Sequence, residues 1–571
     1  MGSISPADMD PKSTPYTILE EPLGAPRPIR IITIGAGISG LNMIRTLRKT
    51  LTNYTHVVYE KNSDVGGTWH ENRYPGCECD HPSHNYQFTW RKNPHWSQFS
   101  AGAREIERYI LDVCEEEGLR SEIRTAHEVV GAAWDAPSGQ WVVRLRDLRT
   151  GETFEDRGEF LLNATGILNN WKWPDIPGLE HFAGERVHSA AWPEDFEYRG
   201  KRVAVIGNGS SGVQIVPAIQ RDVHSLVHLI RSPTWIAPPQ TERMLQGEIL
   251  RSVQMDGNRF KPEQKERFSN DSEYYKSFIR AIEEQVNARF RTMVNNDGLA
   301  ETLQKNLENH MASVLKDRPD LIKALIPTTF PAGCRRLTPG PGYLESLTAP
   351  NVRVVTDAIQ RIVPEGIQLE SGEIIPLDAI ICATGFDVSF CPRFPIFGQN
   401  GVNLQDIWTR ALPTAYMSCA VAEMPNYFVF MGPHAPIGHG SVLSIAEQVA
   451  RYIARMVKKV QTEGIKSVTP RTSAVAEFAE HAHAFLPRTI WAGNCRSWYK
   501  NGTADGPIIA LHPGSRIHWF HMMEVWRPED YEYEYLCKGN RFRFLGNGFS
   551  VRETGEDPVW YLEGLGDFST L

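Results

Sequence analysis

Apolar residues along the chain form a strand-to-helix pattern that occurs twice. Arg30 to Ile34 is a short, nearly unbroken apolar run, typical of a buried strand, and Leu41 to Leu47 continues with the spacing of an amphipathic helix. The run Val203 to Ile206 is followed in the same way by Val213, Ile215 and Val216. The pattern therefore predicts two similar strand–turn–helix units about 170 residues apart in the chain.

Each predicted turn carries the spacing GxGxxG. The glycines are Gly35, Gly37 and Gly40 in the first unit and Gly207, Gly209 and Gly212 in the second. Such glycines make a tight turn and let a pyrophosphate approach the backbone, where the N-terminus of the helix supplies free N–H groups and a positive dipole. Two copies, each between a strand and a helix, predict an α/β protein with two Rossmann-like dinucleotide-binding domains.

The residue that ends the second strand of each unit separates the two sites chemically. Glu60 follows the apolar run Thr55 to Tyr59, 20 residues after Gly40, where a carboxylate accepts hydrogen bonds from a free ribose hydroxyl, which suits FAD or NAD. Arg231 follows Ser225 to Ile230, 19 residues after Gly212, where a guanidinium pairs with a 2′-phosphate. The second site therefore suits NADPH.

A further pair of matching segments indicates how the domains are arranged. Phe160 to Asn163 leads into Ala164, Thr165 and Gly166, and Ala379 to Cys382 leads into Ala383, Thr384 and Gly385, so that each half ends in an apolar strand and a turn of small residues. We predict an arm at residues 1–28 and an FAD-binding domain in two segments, 29–175 and 386–571. Between them we place an NADPH-binding domain, also in two segments, 176–240 and 327–385, which itself holds a helical insert at 241–326.

The insert is predicted to be helical from its apolar spacing. Its aromatic and aliphatic residues follow a helical period, and we interpret them as core packing rather than as a cofactor site; they are Tyr275, Phe278, Ile279, Ile282, Val286 and Phe290.

Composition narrows the classes of function. The 571 residues are 41% hydrophobic and 22% charged, as in ordinary folded proteins, and 60 basic against 68 acidic residues argue against nucleic acid as a partner. The chain shows neither a signal peptide nor an apolar run long enough to span a bilayer, which favours a soluble, cytoplasmic protein without a membrane span. Nine cysteines, an odd number, predict no disulfide framework and suit a reducing compartment.

Most of the chain, excluding the first 28 residues, resembles the flavin-dependent Baeyer–Villiger monooxygenases, a family within the flavin monooxygenases. The family fingerprint FxGxxxHxxxWP is matched at every defined position, by Phe182, Gly184, His188, Trp192 and Pro193. The resemblance extends from about Ile31 to Tyr531 and includes the segments GGTW at 66–69 and RYPG at 73–76. Relatives that oxygenate only nitrogen or sulfur usually carry Tyr or Phe in place of Trp192.

The resemblance implies roles for individual residues. Asp80 and Arg336 match the family's active-site aspartate and catalytic arginine, and Arg335, where the family commonly has Lys, would hold the 2′-phosphate together with Arg231 and Ser232. Trp498 matches a tryptophan that reaches NADP, although the usual SWYxGxN motif is altered after Tyr499. Further cofactor-binding residues implied by the match are Gly67, Thr68, Trp69, Tyr86, Ser210, Ser211 and Gln214.

What the family does implies the reaction. NADPH would reduce FAD, and the reduced flavin would add O2 to give a peroxyflavin that attacks a ketone and yields an ester or lactone. Arg336 would stabilise the anionic species, and Asp80 would hold Arg336 in place. The identity of the ketone and the oligomeric state are not encoded in any pattern of the sequence.

Three other interpretations of single residues stay open beside these roles. Cys77, Cys79, His81 and His84 form CxCxHxxH, but one residue between the cysteines is tight for zinc, and we predict no metal. His188 is interpreted as ordering the linker between the domains rather than as a proton carrier. Tyr86 is as well explained by core packing as by contact with flavin.

Three other functions share some of these features. A flavin N- or S-oxygenase shares both nucleotide sites and is the principal alternative. A disulfide reductase normally carries CxxxxC, whereas the nearest pair here is Cys77 and Cys79. An NADP-binding regulatory protein without catalysis would be indicated by the absence of bound flavin after purification.

Overall fold

Two five-stranded parallel sheets form the centre of the protein. The structure is a computed structural model, and it describes residues 16–245, 247–294, 298–553 and 557–564. The N-terminal sheet has the strand order Tyr427–Val429, Phe160–Asn163, Ile29–Ile34, Tyr54–Tyr59, Ile123–Arg124. The inserted sheet has the order Val352–Val355, Ser225–Leu229, Arg202–Ile206, Ala379–Cys382, Glu185–His188.

The central strands are buried on both faces, because each is an apolar run with a helix in its crossover connection. The helix Ile38–Thr50 connects Ile29–Ile34 to its parallel neighbour, and the helix Ser210–Ile219 does the same for Arg202–Ile206. The predicted α/β class with two Rossmann-like units is therefore confirmed.

The glycine turns close in the same way in both units. Gly35 and Gly207 have φ angles of +99° and +103°, which L side chains rarely adopt. A Cβ atom at Gly40 would lie 2.0 Å from the carbonyl oxygen of Gly35, and one at Gly212 would lie 2.0 Å from that of Gly207. The third glycine of each motif is thus required by the close approach of helix and turn.

Smaller sheets cover the two units. A four-stranded sheet accompanies the N-terminal unit, with the strand order Ile396–Phe397, His127–Asp135, Gln140–Asp147, Thr153–Gly158. A three-stranded antiparallel sheet belongs to the inserted unit, with the order Ile359–Val363, Gly366–Leu369, Ile374–Pro376. Two-stranded pairs are Ile236–Ala237 with Thr338–Pro339 and Ile465–Pro470 with Tyr531–Tyr535. Further helices are Thr68–Glu71, Ala103–Glu116, Tyr343–Ser346, Leu404–Arg410, Thr472–Phe485, Arg516–Glu524 and Tyr561–Gly564.

The region predicted as a helical insert contains several helices. They are Gln240–Met244, Glu248–Arg251, Pro262–Asn270, Ser272–Ala288, Leu299–Val314 and Pro319–Leu325. The helix Ser272–Ala288 buries Tyr275, Phe278, Ile282 and Val286 in a cluster with Phe99 and Phe260 among others. The aromatic stripe is therefore core packing. A short antiparallel pair, Met255–Asp256 with Arg259–Phe260, also lies in this region and has no counterpart in the helical prediction.

The C-terminal part of the chain returns to the N-terminal sheet. Tyr427–Val429 becomes its edge strand, paired with Phe160–Asn163. The long helix Val442–Thr462 packs against the crossover helix Ile38–Thr50, because its apolar face joins the same buried cluster. The domain boundaries themselves stay predictions.

The described part of the predicted arm lies along the C-terminal segment. Leu23 donates its backbone N–H to Phe549 at 2.7 Å, and Arg27 donates to the carbonyl of Gln461 at 3.2 Å. Residues 1–15 of the arm lie outside the described residues.

One disulfide departs from the expectation of no disulfide framework. Cys334 and Cys495 are bonded, with Cα atoms 6.3 Å apart. They are separated by 161 residues in the chain, so their pairing depends on tertiary packing that cysteine spacing does not reveal. Within the described ranges, no helix combines the length and the apolar character needed to cross a membrane.

We expect Gly212→Ala to lower the free energy of unfolding by about 1–3 kcal/mol, because the added methyl overlaps the Gly207 carbonyl. Gly209→Ala is the matched control, since no atom lies within 4 Å of a Cβ atom built there. Thermal unfolding of the two purified variants compares them directly. Equal stabilities would mean that the turn relaxes without cost.

Candidate functional site

A cavity of about 400 Å³ opens at the carboxyl ends of the N-terminal sheet. It begins at the glycine turn, and its lining includes Gly35, Gly37, Glu60 and the small-residue turn at Ala164 and Thr165. In open parallel sheets, this edge is where ligands bind. The cavity thus coincides with the first nucleotide site predicted from the sequence.

Glu60 is fixed by the glycine turn itself. The carboxylate is buried and accepts hydrogen bonds from the backbone N–H groups of Ala36 and Asn62, both at 2.8 Å. Burial raises the pKa of Glu60, and the two backbone donors partly offset this effect. The carboxylate therefore faces the cavity at the end of the second strand, where a ribose hydroxyl could donate to it.

The GGTW segment also lines this cavity and packs against the glycine turn. A Cβ atom at Gly67 would lie 3.0 Å from Gly37 Cα, so the two backbones form a cradle with no room for side chains. Thr68 begins the helix Thr68–Glu71, and Trp69 Nε1 donates to the Tyr86 hydroxyl at 3.1 Å. The rings of Trp69 and Tyr86 pack edge to face and both line the cavity. Tyr86 is therefore at the cavity wall as well as in the core.

Asp80 and Arg336 form a bidentate ion pair across 256 residues of chain. Arg336 Nε donates to Asp80 Oδ2 at 2.8 Å, and Nη2 donates to Oδ1 at 2.6 Å. Burial opposes ionisation of Asp80, but the charge and hydrogen bonds of Arg336 outweigh it and hold the pKa of the Asp80 carboxyl below its usual range. The attraction of Asp80 raises the pKa of Arg336 in turn, so both groups are ionised at neutral pH.

His81 also belongs to this site, although the sequence pattern marks it only as a possible zinc ligand. Its Nε2 lies 3.1 Å from Arg336 Nη2, and its ring stacks near Tyr86 at 6.5 Å between centroids. Burial lowers the pKa of His81 to about 3, so the ring is neutral at pH 7. Because a guanidinium can only donate, Nε2 accepts and the ring proton is assigned to Nδ1. His81 thus joins the ion pair to the wall of the first cavity.

The second glycine turn opens towards solvent at the start of a helix. Gly209 and Ser210 are exposed, and Ser210 begins the helix Ser210–Ile219 with Ser211 as its second residue. Gln214, one turn later, has both ends of its amide engaged, accepting from Tyr74 Oη at 2.8 Å and donating to the Glu78 carbonyl at 3.0 Å. Gln214 therefore joins the helix to the RYPG segment.

Arg231, Ser232 and Arg335 meet at the end of the second strand of the inserted sheet. Arg335 Nη2 lies 3.4 Å from Ser232 Oγ, and Arg335 Nη1 lies 3.4 Å from the Pro233 carbonyl. Burial lowers the pKa of Arg335, and the positive charge of Arg231 lowers it further. Two cations and a hydroxyl at one strand end have the charge and the donors that a phosphate would need.

The fingerprint residues lie in an edge strand of the inserted sheet and in the segments on either side of that strand in the chain. Glu185–His188 is the edge strand, and a Cβ atom at Gly184 would lie 2.5 Å from the Asp378 carbonyl and 2.7 Å from the Phe182 ring. Trp192 is partly buried and packs edge to face with Phe196, and the next residue, Pro193, is exposed.

His188 is held by contacts with several segments. Its Nδ1 accepts from the Ala190 backbone N–H at 3.2 Å, and the ring stacks on Trp171 at 4.6 Å. Burial lowers the pKa of His188 to about 4, so the neutral ring donates from Nε2 to Thr384 Oγ1 at 3.3 Å. These contacts connect the linker to the small-residue turn of the inserted unit. They agree in kind with an ordering role, which stays a prediction.

A second cavity of about 70 Å³ lies beside the ion pair. It is lined by Asp80 and Arg336 and by three residues that sequence reasoning did not single out, Gln240, Arg243 and Arg289, the last two in the predicted helical insert. No motif of the sequence marks these three, because they reach the site only through the packing of the insert.

The SWY segment contributes Tyr499 to this second cavity. Trp498 is partly buried and packs on the ring of Tyr499 at 4.6 Å, but it lines neither the cavity at the first glycine turn nor the one beside the ion pair. Burial raises the pKa of Tyr499 to about 12, and Arg336 partly offsets this. The Cys334–Cys495 disulfide joins this segment to the one that carries Arg336. The contact of Trp498 with NADP stays a prediction.

The CxCxHxxH segment does not converge on one point. His84 Nδ1 lies 2.9 Å from the Tyr275 hydroxyl, whereas His81 faces Arg336. Over the residues that the structure describes, no group of three or more His, Cys, Asp or Glu side chains has the arrangement of a metal site.

Comparison with known proteins agrees with this geometry. Residues 33–102 match the NAD(P)-binding Rossmann-like domain, and residues 103–253 match the flavin-binding monooxygenase-like family. The FAD-binding monooxygenase tazF of Aspergillus terreus is 39% identical over 543 residues, which cover 94% of this chain and 95% of that protein. The FAD-binding monooxygenase moxY of Dothistroma septosporum is 38% identical, with coverage of 98% and 91%.

A solved structure extends the likeness to three dimensions. Cyclohexanone monooxygenase from Rhodococcus sp. Phi1, bound to NADP+, superimposes with a TM-score of 0.76 at 26% identity, covering 90% of this chain and all of that one. The chain is 39% identical to an FAD-binding monooxygenase over nearly its whole length, and it shares the fold of cyclohexanone monooxygenase. The chain belongs to the FAD-binding monooxygenases of the flavin-binding monooxygenase family.

Proposed function

We propose that this flavin monooxygenase inserts one oxygen atom beside a ketone carbonyl and so forms an ester or a lactone. The observation that carries the proposal is the bidentate pair of Arg336 and Asp80 at the junction of the two nucleotide sites. Similarity to cyclohexanone monooxygenase supports the same reaction class. The roles of the individual residues follow from the geometry of this chain.

FAD fits the first cavity. The cradle between Gly37 and Gly67 would be filled by a single Cβ atom, and the carboxylate of Glu60 stands at the strand end. Gly35, Gly40, Thr68, Trp69 and Tyr86 complete the proposed set. When bound, FAD accepts a hydride from NADPH and activates O2 for transfer of one oxygen atom.

NADPH is proposed to bind at the second glycine turn. Gly207, Gly209 and Gly212, with Ser210 and Ser211, expose backbone N–H groups at the helix start, where a pyrophosphate is stabilised. Arg231, Ser232 and Arg335 would hold the 2′-phosphate. Trp498 and Gln214 are proposed to belong to the same dinucleotide-binding site, with Trp498 reaching NADP.

Arg336 is proposed to stabilise the negative charge that develops during oxygen insertion. Its guanidinium is held by Asp80 through Nε and Nη2, and the neutral His81 accepts from the same Nη2, so its direction is set before substrate arrives. Asp80 and His81 thereby act as positioning residues. Because Asp80 leaves some donors of Arg336 unused, the guanidinium can still face an oxyanion.

Product analysis tests the reaction class. The purified protein is incubated with NADPH, labelled O2 and a panel of ketones, a sulfide and an amine. We expect an ester or lactone that carries one labelled atom. A sulfoxide or an N-oxide, with every ketone of a panel that spans cyclic, linear and aryl ketones left unchanged, would assign the chain to heteroatom oxygenation instead.

We expect Arg336→Ala to retain flavin reduction by NADPH but to lower ester formation by about a hundredfold or more, because the developing negative charge loses its fixed cation. Reducing equivalents should then appear as hydrogen peroxide. Rapid-reaction absorbance gives the reduction rate, and product and peroxide assays give the partition. Arg336→Lys keeps the charge without the bidentate geometry and should recover only part of the loss. Ester formation at the original rate in Arg336→Ala would remove this residue from the mechanism.

We expect Arg231→Ala to raise the KM for NADPH by about tenfold or more and to leave the KM for NADH nearly unchanged, because only NADPH carries the 2′-phosphate. Arg221→Ala is the control, since this exposed arginine lies on the same domain outside the strand end. Steady-state kinetics with both coenzymes separate the effects. Equal changes for NADPH and NADH would contradict the phosphate assignment.

A further inference from the structure

The cavity beside the ion pair contains more positive than negative charge. Arg243, Arg289, Arg335 and Arg336 line it, whereas Asp80 is its single carboxylate among the described residues. Asp80 is committed to Arg336 by two hydrogen bonds, and Arg335 lies at the proposed phosphate site. Two positive charges, those of Arg243 and Arg289, remain uncompensated.

Within the described chain, neither of these arginines has a carboxylate partner. No Asp or Glu oxygen of the described residues lies within 4 Å of the Arg243 or the Arg289 guanidinium, although the neighbouring Arg516 is paired with Glu283 at 3.0 Å. Burial, followed by the repulsion of Arg243, lowers the pKa of Arg289 to about 10, so it stays charged at pH 7. Two partly buried like charges are costly unless a bound anion compensates them.

Arg289 is also held in a fixed direction. Its Nη2 donates to Gln240 Oε1 at 3.1 Å, and Gln240 Nε2 donates to the backbone carbonyl of Asp80 at 2.7 Å. Gln240 is 7% exposed, and its two hydrogen bonds connect Arg289 to Asp80, the residue that holds Arg336.

The rest of the cavity wall suits a carbon skeleton. Val286, Met293, Leu337 and Trp491 contribute apolar side chains between the cationic groups. A ligand would place an anionic group between the arginines and its adjoining carbon atoms against this wall, because the cavity of about 70 Å³ is too small to enclose a larger skeleton.

We infer that Arg243 and Arg289 bind an anionic group of the substrate, so that the enzyme acts on ketones that carry a carboxylate. The inference rests on the proposed function for the ketone group of the substrate. The anion site is supported independently, by the two guanidinium charges that are unpaired within the described chain. The carboxylate would be bound by the two guanidinium groups while the carbonyl faces Arg336. Arg243 and Arg289 would thus determine specificity.

Binding without turnover tests this inference. The FAD-loaded protein with NADP+ is titrated with 4-oxopentanoate, 6-oxoheptanoate and 4-acetylbenzoate and with their methyl esters, and dissociation constants are measured by equilibrium dialysis. We expect at least one acid to bind about tenfold or more tightly than its ester, because charge-assisted hydrogen bonds are lost in the ester. If no acid binds more tightly than its ester, the inference is wrong.

Three variants assign the effect to these arginines. Arg243→Gln, Arg289→Gln and the double variant should weaken binding of the preferred acid by about tenfold to a hundredfold and leave ester binding unchanged. Arg280→Gln is the control, since this 81% exposed residue of the helix Ser272–Ala288 pairs with Glu284. Unchanged binding of the acid by the double variant would overturn the inference. A loss of NADP+ affinity as large as the loss for the acid would also overturn it, because the arginines would then be assigned to the dinucleotide.

Thermal unfolding gives a second measurement, because a misfolded variant would have a lower melting temperature whereas the expected change is an increase. Removing one of two repelling charges should raise the melting temperature of the ligand-free protein in Arg243→Gln, and the preferred acid should raise it in the original protein but not in the double variant. A lower melting temperature in Arg243→Gln would show that another group already compensates the charge. Because these measurements need no reaction, they remain interpretable even if no ester is formed.

Discussion

The ion pair between Asp80 and Arg336 is the interaction on which the arrangement of the site depends. It connects a loop of the N-terminal unit with a segment that follows the helical insert, 256 residues later. A partly buried pair with two hydrogen bonds fixes both distance and direction, and breaking one side would leave an uncompensated charge. The pair therefore restrains how the two Rossmann-like units meet, and it lies near both the cavity at the first glycine turn and the proposed phosphate site at Arg335.

Several further contacts restrain the same junction. Gln214 joins the helix of the inserted unit to Tyr74 and to the backbone at Glu78, two residues before Asp80. The disulfide between Cys334 and Cys495 restrains the arginine segment from the other side. Because these contacts approach from different parts of the chain, Arg336 is held by several elements at once. Such support is what a cation needs if it is to act without reorganising during the reaction.

Local motifs predicted the nucleotide sites, and tertiary packing determined the remainder. The glycine turns, Glu60 and Arg231 were predictable because strand, turn and helix place them within about 25 residues of one another. Asp80 and Arg336 were assigned through family resemblance, which supplied a pairing that spacing alone does not contain. His81, Arg243 and Arg289 were missed as site residues because a single polar residue in a loop or short helix carries no periodic signal.

The same fold occurs twice in the chain, and the differences between the copies decide what each can do. In the first copy a buried carboxylate, Glu60, closes the strand end and opens onto a large cavity suited to a permanently bound cofactor. In the second copy an exposed arginine, Arg231, stands at the equivalent position beside a solvent-facing glycine turn, which suits a coenzyme that must enter and leave. An excess of arginine then continues from that strand end through Arg335 to Arg336 and the insert. Positive charge thus increases towards the Asp80–Arg336 pair, and in the proposed reaction negative charge that develops there would be stabilised by groups already in place.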